Sequence, residues 1–320
     1  MRYKADPPRR KVLPATGKVG VPRSLAYDEL RAFFDRVLFL HGIGTVVSPP
    51  TSTRTLEAGL KTCIDEVCLP LKVFFGHVAA LVDAGLETIL VPRICSVAKG
   101  RNLCPKFHVL PDLAERAFPD TRIVAPYIDL HHSRRRDLDM HLVDACRPML
   151  QELGVWNKRS KALVMEACDT EPEGAAEAPD GPGALDVAVL GHFYAERDPF
   201  LGLGVRRVLE KLGARVGATP EPWPEAPSSL EEGMYYESNV RTARAIEHHL
   251  ARGADGIVLI TYFACGPDSY GAETLLYRLA ARGSDVPVLR LIIDEHTSAE
   301  GLATRLATFV EVARHRKASR

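Results

Sequence analysis

Long apolar runs are missing from this 320-residue chain. None approaches the roughly 18 consecutive apolar residues needed to cross a bilayer, which excludes a transmembrane helix. Net charge is missing too. Lys plus Arg and Asp plus Glu both number 41, for a formal charge of zero, which removes the main argument for nucleic acid or an anionic membrane as partner. The opening MRYKADPPRRKVLPATGK is basic and proline-rich but has no apolar h-region, so it does not read as a signal peptide. No Gly-Lys-Ser/Thr triplet occurs, which excludes a Walker phosphate loop and assigns any ATP-driven step to another polypeptide. The G-x-G at Gly202 and Gly204 follows a helix start rather than a strand, so it is not a dinucleotide fingerprint. Nor do the two halves share a visible repeat.

What is present fits a globular protein with ample core. Apolar residues make up 46% of the chain and charged residues 26%, ordinary values for a soluble protein. The length exceeds a usual single domain, so two lobes are expected. Seven cysteines is an odd count, dispersed and without a secretion signal. That favours a reduced, cytoplasmic protein with ligand or free thiols over a disulfide framework.

Short apolar strands alternate with amphipathic helices along most of the chain, the pattern of βα units and a mainly parallel sheet. Strands are predicted over 18–25, 45–50, 88–93 and 122–130, and helices over 27–42, 53–67, 69–84 and 111–118. A helical stretch over 136–168 breaks at Trp156 and Asn157. After it comes DTEPEGAAEAPDGPGA, acidic and aperiodic, which reads as a linker. A second series follows: strands over 185–192, 214–221, 256–263 and 287–294, helices over 199–213, 237–253, 271–283 and 300–314, and a proline-rich excursion over 219–233. The predicted organisation is an N-terminal arm (1–17), an α/β lobe (18–168), a linker (169–184) and a second α/β lobe (185–320).

Three cysteines stand at junctions where thiolates are useful. Cys68 shortly precedes Pro70, and proline favours the first turn of a helix, so Cys68 falls near a helix cap, where free N–H groups and the dipole favour a thiolate. Cys104 precedes Pro105 in the loop after the strand TILVPR. Cys265 follows GIVLITYFA and precedes Gly266–Pro267, which opens another helix. If their strands are parallel neighbours, the three converge on one sheet edge, where open α/β sheets bind ligands. Converging sulfurs suit an iron–sulfur cluster or zinc; the plain alternative is three buried, inert thiols. Cys95 shares the Cys104 loop and is a further candidate metal ligand. Cys63, Cys146 and Cys168 lie in or at the ends of helical patterns and read as structural.

Other candidates are polar groups at strand ends. His192 follows the strand LDVAVL, and a zinc site could take its imidazole, or that of His131 or His132, as fourth ligand. Glu295 and His296 follow PVLRLIID and could serve in acid/base work, although Thr297 or Ser298 there could simply cap the last helix. The SRRRD run at 133–137 reads as a solvated face.

Taken in order, VGVPRSLAYDELRAFF, GTVVSPPT, DEVCLPLKVFFGHV, VPRICSVAKGRNLCPKFHVLPD, LGHFYAERDP, TYFACGPDS and IIDEHTSAEGLATRLATF resemble the activase-related branch of the 2-hydroxyacyl-CoA dehydratase family, which is related to double-cubane iron–sulfur proteins. The resemblance runs from Lys18 to about Phe309. It implies two Rossmann-like, flavodoxin-like lobes with a cluster, [4Fe-4S] or double-cubane in type, held between them by Cys68, Cys104 and Cys265. Family members usually carry an aliphatic residue where Cys95 stands. The resemblance also implies electrons supplied by a separate actin-like ATPase activator with its own cluster, a CoA-thioester substrate and a homo- or heterodimer. The expected activity is reductive chemistry such as dehydration of a 2-hydroxyacyl-CoA, with protons from His192, Glu295 or His296. The alternatives are a zinc protein with three sulfurs and a histidine and no redox role, and a non-catalytic scaffold that docks the activator.

Overall fold

The computed structural model describes residues 17–131, 138–168, 185–217 and 227–319. The predicted N-terminal arm up to residue 16, the acidic linker, His132 with the arginine run, and 218–226 of the proline-rich excursion lie outside the described residues.

The N-terminal half is a parallel sheet, with β1 (Val19–Val21), β2 (Thr45–Val47), β3 (Thr88–Leu90) and β5 (Arg122–Val124) in the order β2-β1-β3-β5. β4 (Arg93–Ser96) and β6 (Tyr127–Asp129) form a parallel pair beyond β3 and β5. Two strands predicted as continuous are thus each cut in two, at Pro92 and Pro126. Neither proline has an N–H to give, but the amides of Val91 and Arg93 still donate to Val124 and Pro126, so the direction carries on. The C-terminal half is a second parallel sheet, in the order β10-β9-β7-β8: β7 (Leu185–Leu190), β8 (Ala214–Gly217), β9 (Gly256–Tyr262) and β10 (Val288–Ile293). The α/β class with mainly parallel, Rossmann-like sheets is therefore as predicted.

Helices cover both faces: α1 (Tyr27–Leu40), α2 (Thr53–Thr62), α3 (Leu69–Asp83), α4 (Pro105–Ala117), α5 (Leu138–Glu152) and α6 (Ser160–Cys168), then α7 (Phe193–Arg197), α8 (Val205–Lys211), α9 (Glu237–Ala251), α10 (Gly266–Ala281) and α11 (Ala299–Ala318). Several differ from the pattern-based reading: α2, predicted to run to 67, ends at Thr62, and α10, predicted from 271, starts at Gly266. The helix predicted over 111–118 starts at Pro105, because the Cys104–Pro105 pair begins it and Pro111 is accommodated inside. The helix predicted over 199–213 shortens to α8, which begins only after Gly204 in the left-handed region, and α7 forms in the stretch before it that reads as loop.

Side-chain alternation along the strands sorts the core into three layers. Val187, Val189, Val258, Ile260, Leu291 and Ile293 face one way and Ala188, Leu190, Ile257 and Leu259 the other, toward α9 and α10. In the first sheet Ile89 and Ile123 face the same central layer as that first set, while Val19, Leu90 and Val124 face α1 and α5. The central layer is shared by both halves, so hydrocarbon joins the two sheets.

α3 runs through that layer. Its sequence LPLKVFFGHVAALVD is apolar nearly all round, as expected for a helix buried on every side. α2 packs on it at backbone contact, since a Cβ on Gly59 would overlap the Lys72 carbonyl and one on Gly76 that of Thr55. Polar ties also cross between the halves. Thr51 donates to Asp198, Lys72 pairs with Glu295, Arg101 pairs with Glu231 at 3.1 Å, and the amides of Asn102 and Glu237 donate to Tyr235 and Asn102.

Candidate functional site

Cys68, Cys104 and Cys265 occupy the same local position, the N-cap residue of α3, α4 and α10. Each helix has proline in its first two positions, where the missing N–H costs nothing. The three helix starts come together at the shared layer, two from the N-terminal half and one from the C-terminal half. Cys68 and Cys265 are buried and Cys104 half-buried.

Electrostatics tie the sulfurs into one group. Cys68 and Cys265 contact each other, and that contact pulls the Cys68 pKa down and pushes that of Cys265 up. Lys106, His192 and the Leu71 amide also favour the Cys68 thiolate, against burial. Burial pushes the Cys104 thiol up, opposed by the Lys106 amide and ammonium, and the charge of Cys68 acts on it too. Cys68 and Cys265 are thus side by side, with Cys104 close enough for the Cys68 charge to act on it.

His192 joins them. It caps α7, lies 9% exposed, and stacks on Tyr194 with ring centroids 4.7 Å apart. Its Nε2 lies 2.6 Å from Asp268 Oδ1 and 4.0 Å from Cys265 Sγ. One nitrogen therefore faces both partners, which differs from a nucleophile relay, where the two ring nitrogens divide those tasks. The ligand atoms of His192, Cys265 and Asp268 lie within 4.8 Å of one another, a nitrogen, sulfur and oxygen set able to hold a metal ion. Asp268 carries one sequence signal, an acid in the first turn of the helix that Gly266–Pro267 opens. Lys106, whose ammonium donates to the Ala264 carbonyl at 3.0 Å, carries none of its own.

The remaining candidates are placed elsewhere. Cys95 stands in a β-bulge, between the Ile94 and Ser96 pairs of β4 with β6. A bulge re-aims side chains, and the Cys95 thiol meets Tyr127, with Asp129 and Arg93 nearby. Glu295 binds Lys72 of α3, and although burial works against its charge, that partner holds its carboxyl below the ordinary value. His296 is 85% exposed and 3.9 Å from Glu295. The structure brings His192 to Cys265 and sets Glu295 against Lys72, with His296 at the surface beside Glu295. Ser298 caps α11, as the alternative reading of that stretch has it.

Beside Cys104 and His192 opens a mainly apolar slot lined by Leu30, Ile94, Leu103, Phe107 and Phe193, with Glu237 and Arg241 at its polar side.

A family described as "CoA enzyme activase uncharacterised domain" matches residues 18–219, more than half the chain. The chain belongs to this family. Membership in this activase-related family links it to CoA enzymes. The matched region holds Cys68, Cys104 and His192 and ends before Cys265 and Asp268. No curated protein matches the chain. Among the described residues no helix is long and apolar enough to cross a membrane.

Proposed function

We infer that the chain is an iron–sulfur protein of the 2-hydroxyacyl-CoA dehydratase/activase type, whose cluster is held by Cys68, Cys104 and Cys265. The observation that carries this reading is the meeting of three cysteine-capped helix starts from both halves at one secluded point. The donor set fits: thiolate-ligated clusters are anionic, and three helix N-termini with Lys106 offer compensating positive charge. When bound, the cluster supplies one-electron reduction at low potential.

The chain's own residues have separate tasks. The three cysteines bind, and Cys95, paired with Tyr127, stays out of the set. Tyr194, buried against the His192 ring, excludes water from one side. Asp268 orients His192, which holds a proton at Nε2 between carboxylate and sulfur. The apolar slot ending at Cys104 and His192 fits the acyl part of a CoA thioester. Electrons come from a separate ATP-dependent activator, since no Walker phosphate loop occurs here. The two α/β halves act as lobes of one subunit of a homo- or heterodimer in the reducing cytoplasm.

A second reading has one observation in its favour. His192, Cys265 and Asp268, with Cys68 alongside, offer the mixed donors of a zinc site. Anaerobic purification decides between them. A brown protein with iron and acid-labile sulfide, and loss of most of both in Cys68→Ser, Cys104→Ser and Cys265→Ser, is expected. A colourless protein with stoichiometric zinc overturns the cluster and establishes the second reading. A third outcome, Cys104→Ser retaining activator binding but not electron transfer, rules out a pure scaffold.

A further inference from the structure

We propose that Lys106 is a positioning residue that clamps the Cys265 loop of one half onto α4 of the other and supplies the compensating charge of the site. This rests on the cluster reading for its charge part and on geometry alone for its clamp part.

The loop that presents Cys265 is held in an unfavourable shape. The Cys265 amide donates to the Tyr262 carbonyl at 3.1 Å, closing a tight turn with Phe263 and Ala264 at its centre. Ala264 has φ +59°, a left-handed value at the turn position usually given to glycine or asparagine. Such a residue is strained and persists only where its surroundings hold it. Two contacts do. Asp268 accepts from the Tyr262 amide at 3.3 Å within the C-terminal half, and from the other half Lys106 donates to the carbonyl of Ala264 itself. Phe263, the other central residue, is 67% exposed and adds little packing.

Lys106 is also placed to act on the sulfurs. It follows Cys104 by two residues in the first turn of α4, its amide lies against the Cys104 sulfur, and its charge reaches both Cys68 and Cys104. A long, flexible stem ending in a compact ammonium suits one residue to both tasks. A cation beside an electron acceptor stabilises the reduced state, so its removal lowers the reduction potential.

Two measurements test this on Lys106→Met and Lys106→Arg. In metal-free full-length protein, hydrogen exchange at the amides of 263–266, 268 and 269 should quicken about tenfold in Lys106→Met, the loss of one charge-assisted hydrogen bond, and stay near wild type in Lys106→Arg. In anaerobic, iron-replete protein, an EPR-monitored redox titration should give a lower midpoint in Lys106→Met and a near-normal one in Lys106→Arg. Unchanged exchange in Lys106→Met overturns the clamp. An unchanged midpoint with full iron content overturns the charge role. Wild-type protein without iron refutes the cluster reading instead, and the exchange data still decide the clamp.

Discussion

Ala264 shows how much of the site rests on single residues. Its left-handed backbone turns the chain from the end of β9 into α10 so that Cys265 caps the helix next to Cys68. Glycine takes such a conformation without the Cβ clash. Ala264→Gly is therefore expected to stabilise the metal-free protein by about 1 kcal/mol, read as a higher urea midpoint with an unchanged slope. A lower midpoint would mean that the turn is unstrained. Alanine carries no turn signal, which is why the loop geometry was not legible, whereas the cysteines were: each is followed within two residues by a proline that marks a helix start. Asp268 and Lys106 stood next to those motifs, but an acid in a first turn and a lysine on a helix are each ordinary, and only the folded contacts distinguish them.

Among the elements, α3 sets the position of the site. Its first turn carries Cys68, its second places Lys72 against Glu295, and its third holds His77. Its location depends on the glycine-to-backbone crossing with α2. Glycine in a helix interior is about 1 kcal/mol worse than alanine, so Gly59→Ala would be favourable if α2 were exposed there. The added methyl instead overlaps the Lys72 carbonyl, which belongs to α3 backbone and cannot rotate away. Forcing the helices apart costs roughly 1–3 kcal/mol beyond the propensity gain, so Gly59→Ala should lower the urea midpoint, while Lys61→Ala, one turn-edge away and exposed, leaves it nearly unchanged. An equal midpoint for both variants would refute the close crossing. Helix-period patterns report which face is apolar but not how near two backbones come. For that reason α2 and α3 were legible as helices and their contact was not. The proline cuts at Pro92 and Pro126 belong to the same class, because alternation alone reads through them.

Across the whole molecule, the shared core layer and the ties from Thr51, Lys72, Arg101 and Lys106 bind the halves into one unit, where the sequence pattern gives two lobes and leaves their contact open. The Thr51 tie belongs to a chain of hydrogen bonds whose directions can be worked out. The Thr51 hydroxyl donates to Asp198 in the other half, so its oxygen accepts from His77 Nε2–H at 3.0 Å. His77 Nδ1 is then the acceptor, and Ser48, whose Oγ also accepts from the Arg23 amide at 2.8 Å, donates to it across 2.9 Å. That order requires a neutral imidazole. Burial, helped by the Arg23 charge, pulls the His77 pKa from 6.5 down to about 4. The unfolded chain therefore binds a proton between those values that the folded chain does not, so stability rises with pH across the window. It is complete above about pH 6.5 and falls by roughly 3 kcal/mol as pH drops to about 4. His248, also lowered by burial, acts in the same direction, whereas the lowered carboxyls of Glu295 and Asp294 act at the acid end, from ordinary values of 4.5 and 3.8. The comparison that isolates His77 is wild type against His77→Gln between pH 5 and 7. The variant should be less stable at pH 7 and show a distinctly shallower slope of unfolding free energy with pH. Parallel slopes would mean that His77 keeps its ordinary proton affinity, and the seam between the halves would then not be held by a neutral histidine.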